Sequence, residues 1–486
     1  MVNSTVQLRI LTRDALYEIH SATLEILERI GVKVDEQKAL RMLGDAGAHI
    51  NDKEKIAKIP QYLVEEAIKK APSGFVLYGR DPKDKLRFEE KKVYFGMGGG
   101  SMHVLDLETG KRRASTLKDA ENFFRLSDAL ENIHQCGYSV VHPGDIPSSA
   151  AYLHAMLSGF KNTTKPLEGE TGGQLDAMDS IRMASVVAGG EEELKKRPML
   201  LGYHNPVSPL QHSKELTEGL LLYAKHRQPL IVAPEAQAGA TAPVTLAGLL
   251  AQQNAEILSG IVIAELANPG APVLYGTVST IMDMKTGNLS YGAIEAGLIN
   301  VATAQLAHYY NLPSRGTCGN ASKKSDIQAG FEQAMTLMMA AFAGINFIHN
   351  AAGCLESTLI ASYEQAVIDN EICGMVSRAL RGIRTSDETL ALDVIEDVGS
   401  GGQYLTQQHT LEYLEKEHYI PTIINREKWE RWERAGSKDL REVAREKAKT
   451  ILKEHQPEPL DQNIEEELKK IIREVEERER KRSSSV

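Results

Sequence analysis

Residues 312–357 read LPSRGTCGNASKKSDIQAGFEQAMTLMMAAFAGINFIHNAAGCLES, and this stretch decides the fold. A short strand runs into a polar, glycine-bearing loop. A long helix follows, then a second strand at 345–348 and a second glycine loop. The helix has a side-chain cap in Asp326, an interior of Ala, Leu, Met and Gln, and a stop at Gly344. The apolar strand breaks off at the polar pair His349 and Asn350. Strands joined through a helix lie parallel, so both loops leave the same C-terminal edge of the sheet. That edge is where α/β proteins place their chemistry.

The same alternation extends towards both termini. Strands are expected at 93–95, 133–141, 166–170, 199–203, 230–233 and 273–275. Helices are expected at 115–130, 148–160, 174–187, 213–225, 246–266, 291–310 and 363–380. With the opening stretch this makes eight βα units in about 290 residues, the number and length that close a (β/α)8 TIM barrel. An open doubly wound sheet usually has fewer strands and a single phosphate-binding glycine loop. Three regions are expected: a helical N-terminal region at 1–90, the barrel at 91–384 and a helical, charged C-terminal extension at 385–486. Trp429 and Trp432 are expected to pin the extension to the barrel. The last helix carries Leu468, Ile471, Ile472 and Val475 on one stripe, suited to packing or to subunit contact.

Composition narrows the function. Lys and Arg total 56 against 66 Asp and Glu, a net charge of −10. There is no basic tract inside the fold, which argues against a nucleic-acid or membrane-surface role. Residues 1–10 have no long apolar run, and no apolar stretch reaches the ~20 residues of a bilayer span, so no signal peptide or membrane anchor is expected. Four dispersed cysteines without a CxxC pair point to reduced thiols in a cytoplasmic setting.

Standard catalytic motifs are missing: there is no GxxxxGK[ST], HExxH or GxSxG. Gly98-Gly99-Gly100 leads into an expected hairpin at 102–107, not a helix, and so makes a poor nucleotide loop. His134 with Cys136, or Cys318 with His349, could begin a metal site, but no further ligands cluster with them and no metal is expected. Candidate acids and bases at the barrel mouth are Glu170, Glu235 and His349. Each can equally be a rim ion pair or a histidine satisfied by a backbone carbonyl. Tyr138, Tyr203 and Tyr275 fall at strand ends, with His204 beside them. Such rings can line a pocket for a quaternary ammonium, at ~0.5–2 kcal/mol per contact, or serve packing alone.

Several motifs resemble those of the trimethylamine:corrinoid methyltransferase superfamily. They are DLETGKRRAST from Asp106, EGETG from Glu168, NPVSPL from Asn205, PGAPVLYG from Pro269, SKKSDIQAGFE from Ser322 and GCLES from Gly353. The resemblance implies a (β/α)8 barrel with no tightly bound cofactor. It would take a methyl group from a methylated amine and deliver it to the Co(I) of a corrinoid (cobalamin) on a separate protein docked over the mouth. Trimethylamine enzymes of the superfamily carry pyrrolysine in the seventh-strand loop, where this sequence has ordinary lysines, Lys323 and Lys324. It is therefore similar to the non-pyrrolysine, glycine betaine methyltransferase-like branch. A quaternary nitrogen already bears its charge, so Co(I) can displace a neutral tertiary amine with no proton delivered.

On that reading Tyr138, Tyr203, His204 and Tyr275 line the cation pocket, and Glu170 or Glu235 adds negative charge. Arg315, at the end of the seventh strand, holds a substrate carboxylate, and His349 and Asn350 hydrogen-bond it. The expected partners are a corrinoid protein, a small quaternary amine and further copies of the chain. Two alternatives stay open: a trimethylamine enzyme in which Lys323 or Lys324 is a misrecorded pyrrolysine, and a barrel that binds betaine without catalysis.

Overall fold

The computed structural model describes residues 2–483 apart from Ser4, Thr5, Glu90, Tyr138 and Ser139. Eight strands form its centre: β1 (Lys92–Met97), β2 (Gln135–Cys136), β3 (Leu167–Glu168), β4 (Leu200–His204), β5 (Leu230–Val232), β6 (Val273–Gly276), β7 (Ser314–Thr317) and β8 (Phe347–Ala352). Each leads to a helix: α1 (Leu117–Ala129), α2 (Ser148–Asn162), α3 (Gln174–Ala188), α4 (Lys214–Lys225), α5 (Leu246–Ala267), α6 (Ile294–Tyr309), α7 (Ile327–Ala343) and α8 (Tyr363–Leu380). Parallel ladders run β3-β4-β5-β6-β7-β8-β1-β2. The first and last strands join through Phe347↔Tyr94 and Ile348↔Phe95, and β2 and β3 lie side by side at the seam. The expected (β/α)8 TIM barrel is present.

Local chemistry sets the element ends. Asp326 caps α7 by accepting from the Ala329 amide, and Gly344 ends it in the left-handed region at φ +86°. Thr116 and Asp119 form a capping box at α1. β2 is far shorter than the expected 133–141: its bonding to β1 runs only from His134 N–Phe95 O to Gly137 N–Met97 O. β8, by contrast, does not stop before His349 and Asn350 but continues to Ala352. A register shift between Ile348 and Ala352, with Asn350 at φ +57°, marks a bulge that re-aims these side chains.

Laddered partners point to the same side of a sheet, so register identifies the interior. Tyr94, Leu201, Ile231, Leu274 and Phe347 form an apolar layer there. The hairpin Phe75–Tyr78/Lys85–Phe88 closes it, packing Leu77, Leu86 and Phe88 into the same cluster. Glu168 pairs with Leu201, Tyr203 with Ile231 and Arg315 with Phe347, so these polar side chains share the inward face.

The N-terminal region is not purely helical. Beside the helices Arg13–Glu25, Gln37–Asp45 and Gln61–Lys70 it holds strands Val32–Val34, His49–Asn51 and Ile56–Lys58, which join Gln211–His212 in a four-stranded sheet. Three-residue strands are too short to display a period-two pattern. The three helices cover α5, which is 22 residues long and apolar enough to pass for a membrane span, contrary to the expectation that no stretch is so long. Its hydrophobicity on all sides follows from burial between the barrel and these helices. Its polar residues are paired: Gln253 with Thr277 and Thr303, Asn254 with Tyr275, Tyr310 and Thr23.

At the other end, the helix Gln462–Ser483 packs on α2 and α3, with Leu468, Ile471, Ile472 and Val475 buried. The tryptophans do not pin the extension. Trp429 is 67% exposed and rests on Trp432, ring centroids 5.0 Å apart. Contacts of Glu417 with Arg378 and of Thr422 with Glu371 tie this segment to α8 instead.

Candidate active site

Four inward-facing side chains meet at the C-terminal end of the barrel. Tyr203 Oη donates to Glu168 Oε1 at 3.1 Å. His349 Nε2 lies 3.1 Å from the same oxygen, within ion-pair reach of a protonated ring although it makes no hydrogen bond there. The Arg315 guanidinium stands over the Tyr203 ring, 5.6 Å from its centroid, while its Nη1 donates to Thr277 O at 2.6 Å. The Tyr203 and His349 rings are 5.7 Å apart. Burial first, then the charge of Glu168, holds the Tyr203 hydroxyl well above its ordinary pKa, so it remains a proton donor.

Glycines make room for this group. A Cβ on Gly98 would fall 2.0 Å from His349 Nε2, and one on Gly96 would strike the Phe347 ring at 2.6 Å. β1 therefore presents bare backbone where β8 presents rings. Beside the group, Asn350 Nδ2 donates to Thr317 Oγ1 at 3.0 Å. Of the fourteen buried side-chain atoms without a hydrogen-bond partner among the described residues, four gather here: Gln135 Oε1, Arg315 Nε, His349 Nε2 and Asn350 Oδ1. Buried polar groups are normally satisfied, so a cluster of unsatisfied ones marks a place built for a polar ligand.

Above this well a cavity of about 490 Å³ opens, walled by Glu235, Asp283, Tyr291, Lys323, Glu356 and Leu359. Three carboxylates and one ammonium make it acidic. Tyr291 links the two spaces: it packs in the same apolar cluster as Tyr203 and its hydroxyl donates to Glu235.

The expected site residues thus divide. Tyr203, Arg315, His349 and Asn350 come together in the well, and Glu235 stands at its mouth. Glu170 does not face inward; its Oε1 accepts from its own loop, Thr171 N at 2.9 Å and Gly172 N at 2.8 Å. Two more face away from the axis. Tyr275 Oη donates to Asn254 Oδ1 at 2.7 Å on α5, and its ring packs on Tyr310. His204 stacks on His212, with Nε2 2.7 Å from His212 Nδ1, and burial lowers its pKa to about 4. Both therefore belong to the layer between strands and helices. Tyr138 lies outside the described residues. Glu168 and Tyr291 were not anticipated as site residues; Glu168 precedes Glu170 by two residues in the same phase, so the sequence alone does not tell the two acids apart. Cys318 and His349 do not converge: the thiol faces the carbonyls of His349 and Asn350. Among the described residues, no three His, Cys, Asp or Glu are placed to hold a metal ion.

The placement of Tyr275 is testable. Tyr275→Phe should leave KM for any substrate unchanged and cost about 1–2 kcal/mol in urea unfolding, because Asn254 Oδ1 loses its donor. A raised KM with intact stability would put the ring in the pocket after all.

Fold and site together define a (β/α)8 barrel with a polar, acid-edged well at its C-terminal mouth. A family model described as trimethylamine methyltransferase (MTTB) matches residues 1–480, and the chain belongs to that family and is a methyltransferase. It is 37% identical over 464 residues to a glycine betaine methyltransferase of Desulfitobacterium hafniense (strain Y51), covering 95% of this chain and 96% of that protein. It is 39% identical to trimethylamine methyltransferase MttB of D. hafniense (strain DSM 10664 / DCB-2), over 95% and 93% of the two chains. The crystal structure of the Methanosarcina barkeri monomethylamine methyltransferase (MtmB) superposes with a TM-score of 0.55 at 11% identity, covering 98% of this chain and 90% of that one, which speaks for the fold alone.

Proposed function

We propose that the chain takes a methyl group from a quaternary amine of the glycine betaine type and passes it to the Co(I) of a corrinoid carried by a separate protein. The observation that carries this reading is the inward cluster of Glu168, Tyr203, His349 and Arg315. Glu168 and the Tyr203 ring offer charge and a π-face to a trimethylammonium group. Arg315, buried and with Nε unused, offers a donor to a carboxylate at the other end of the substrate. A betaine has that polarity, with a fixed cation and an anion a short carbon chain apart.

The corrinoid is a co-substrate: its reduced cobalt supplies the electron pair of the new Co–C bond. The C–N pair stays on nitrogen, which leaves as a neutral tertiary amine. The chain's own residues need only bind and orient the cation, aim one N–CH3 bond at the mouth and exclude water, which is catalysis by positioning. Tyr203 and Tyr291 stay protonated and no general acid is required. Lys323 and Lys324 stand beside the mouth as ordinary lysines; only Lys323 lines the cavity over the well. Mixing the protein with free Co(I) cobalamin and a panel of methylated amines tests the proposal. Methyl-Co(III) should form with betaines and not with trimethylamine. Formation with trimethylamine alone, or with none of them, overturns it.

A further inference from the structure

A second cavity, about 630 Å³, adjoins the mouth and shares Lys323, Glu356 and Leu359 with the first. It lies between the hairpin His103–Leu105/Arg112–Ala114, the loops that follow β7 and β8, and the extension helix Leu440–Glu454. Its character is opposite to that of the acidic space beside it. Arg112, Lys323, Lys324, Arg441 and Arg445 line it, against Glu356 and Glu364. Only Arg445 is closely neutralised, its Nε 2.8 Å from Glu364 Oε1. Arg441 reaches Asp439 at 3.9 Å, Arg112 meets His103 Nδ1 and Lys323 donates to the Ala321 carbonyl. Among the described residues no carboxylate lies within ion-pair distance of Arg112, Lys323 or Lys324. In a chain of net charge −10, a groove with this surplus of unpaired cations is local and specific.

We propose that this groove is the electrostatic docking surface for the protein that brings the methyl acceptor, and that it takes an acidic surface segment of that partner. The inference rests on the methyl-transfer reading, which requires a second protein to present its cofactor at the mouth. A groove abutting the mouth on one side fixes the partner's orientation, not merely its proximity. Complementary charge at such a rim sets the association rate, the register and the choice of partner. The acidic mouth cavity is the counterpart: it attracts the small cation while disfavouring entry of the partner's acidic segment, so each of the two ligands has its own address.

The test uses the full chain and a fluorescein-labelled peptide of alternating Asp and Glu, followed by anisotropy. The wild type should bind the peptide, and raising salt from low to physiological strength should weaken binding about tenfold. The double variant Arg112→Glu/Arg441→Glu should lose at least tenfold in affinity, while Lys38→Glu/Arg41→Glu, on the helix Gln37–Asp45, should lose nothing. The groove variant should also retain wild-type methyl transfer to free Co(I) cobalamin. Equal peptide binding by wild type and groove variant overturns the proposal. Displacement by inorganic phosphate at concentrations below those of the peptide overturns it too, in favour of a small-anion site. A wild type that binds peptide through the groove but methylates no free cobalamin supports the docking surface and overturns the methyl-transfer reading.

Discussion

Glu168→Gln should raise KM for a betaine by about 30- to 150-fold and leave kcat no lower than in the wild type. The split follows from where the charge is. A carboxylate and a quaternary ammonium about 5 Å apart attract by ~3 kcal/mol at an effective dielectric of ~20. That attraction is strongest in the ground state, because the nitrogen loses its positive charge as the methyl group departs. Removing it weakens substrate binding more than it weakens transition-state binding. Glutamine keeps the shape of the side chain and an oxygen for the Tyr203 hydroxyl to donate to, so the barrel should fold as before. Steady-state kinetics with Co(I) cobalamin reads both parameters. A fall in kcat matching the rise in KM would mean that Glu168 moves a proton, and the mechanism without acid–base chemistry would be wrong.

The prominence of Glu168 also marks where sequence reasoning stops. Element positions were legible because helices reveal themselves over many residues: the expected 363–380 is the observed α8 (Tyr363–Leu380), and α7 follows from Asp326 and Gly344 at its ends. Which side a strand residue faces was not legible. Strands of a parallel barrel are buried on both faces, so they read as unbroken apolar runs without the alternation that sets phase. A shift of one residue exchanges inside for outside, which is why Tyr203 lies in the well while Tyr275, equally strand-terminal, lies behind it. Glu168 and Glu170 do share phase, but β3 ends at Glu168 and the following turn binds the Glu170 carboxylate to its own amides. A local turn of this kind leaves no periodic trace. The bulge that places Asn350 against Thr317 is equally silent, because a positive φ at an asparagine cannot be read from its neighbours.

Arg315→Ala should raise KM for a betaine about tenfold or more and leave KM for a carboxylate-free quaternary amine such as choline nearly unchanged. A charged hydrogen bond of this type contributes ~1.5–3 kcal/mol. The carboxylate it binds is remote from the breaking C–N bond and keeps its charge throughout, so the loss falls on ground and transition states alike and appears in KM. Arg315→Lys should not rescue. The guanidinium uses Nη1 to hold the Thr277 carbonyl while Nε remains for the substrate, and an ammonium cannot span both directions from one atom. The comparison between substrates also separates binding from folding. Arg315 is buried, so its loss lowers stability, but a destabilised barrel would penalise choline and betaine equally. Equal penalties would therefore reduce Arg315 to a structural residue that fixes Tyr203 and the β6–β7 edge, and the carboxylate would have to be recognised elsewhere, with His349 Nε2 an unsatisfied ring nitrogen in the well able to donate to it.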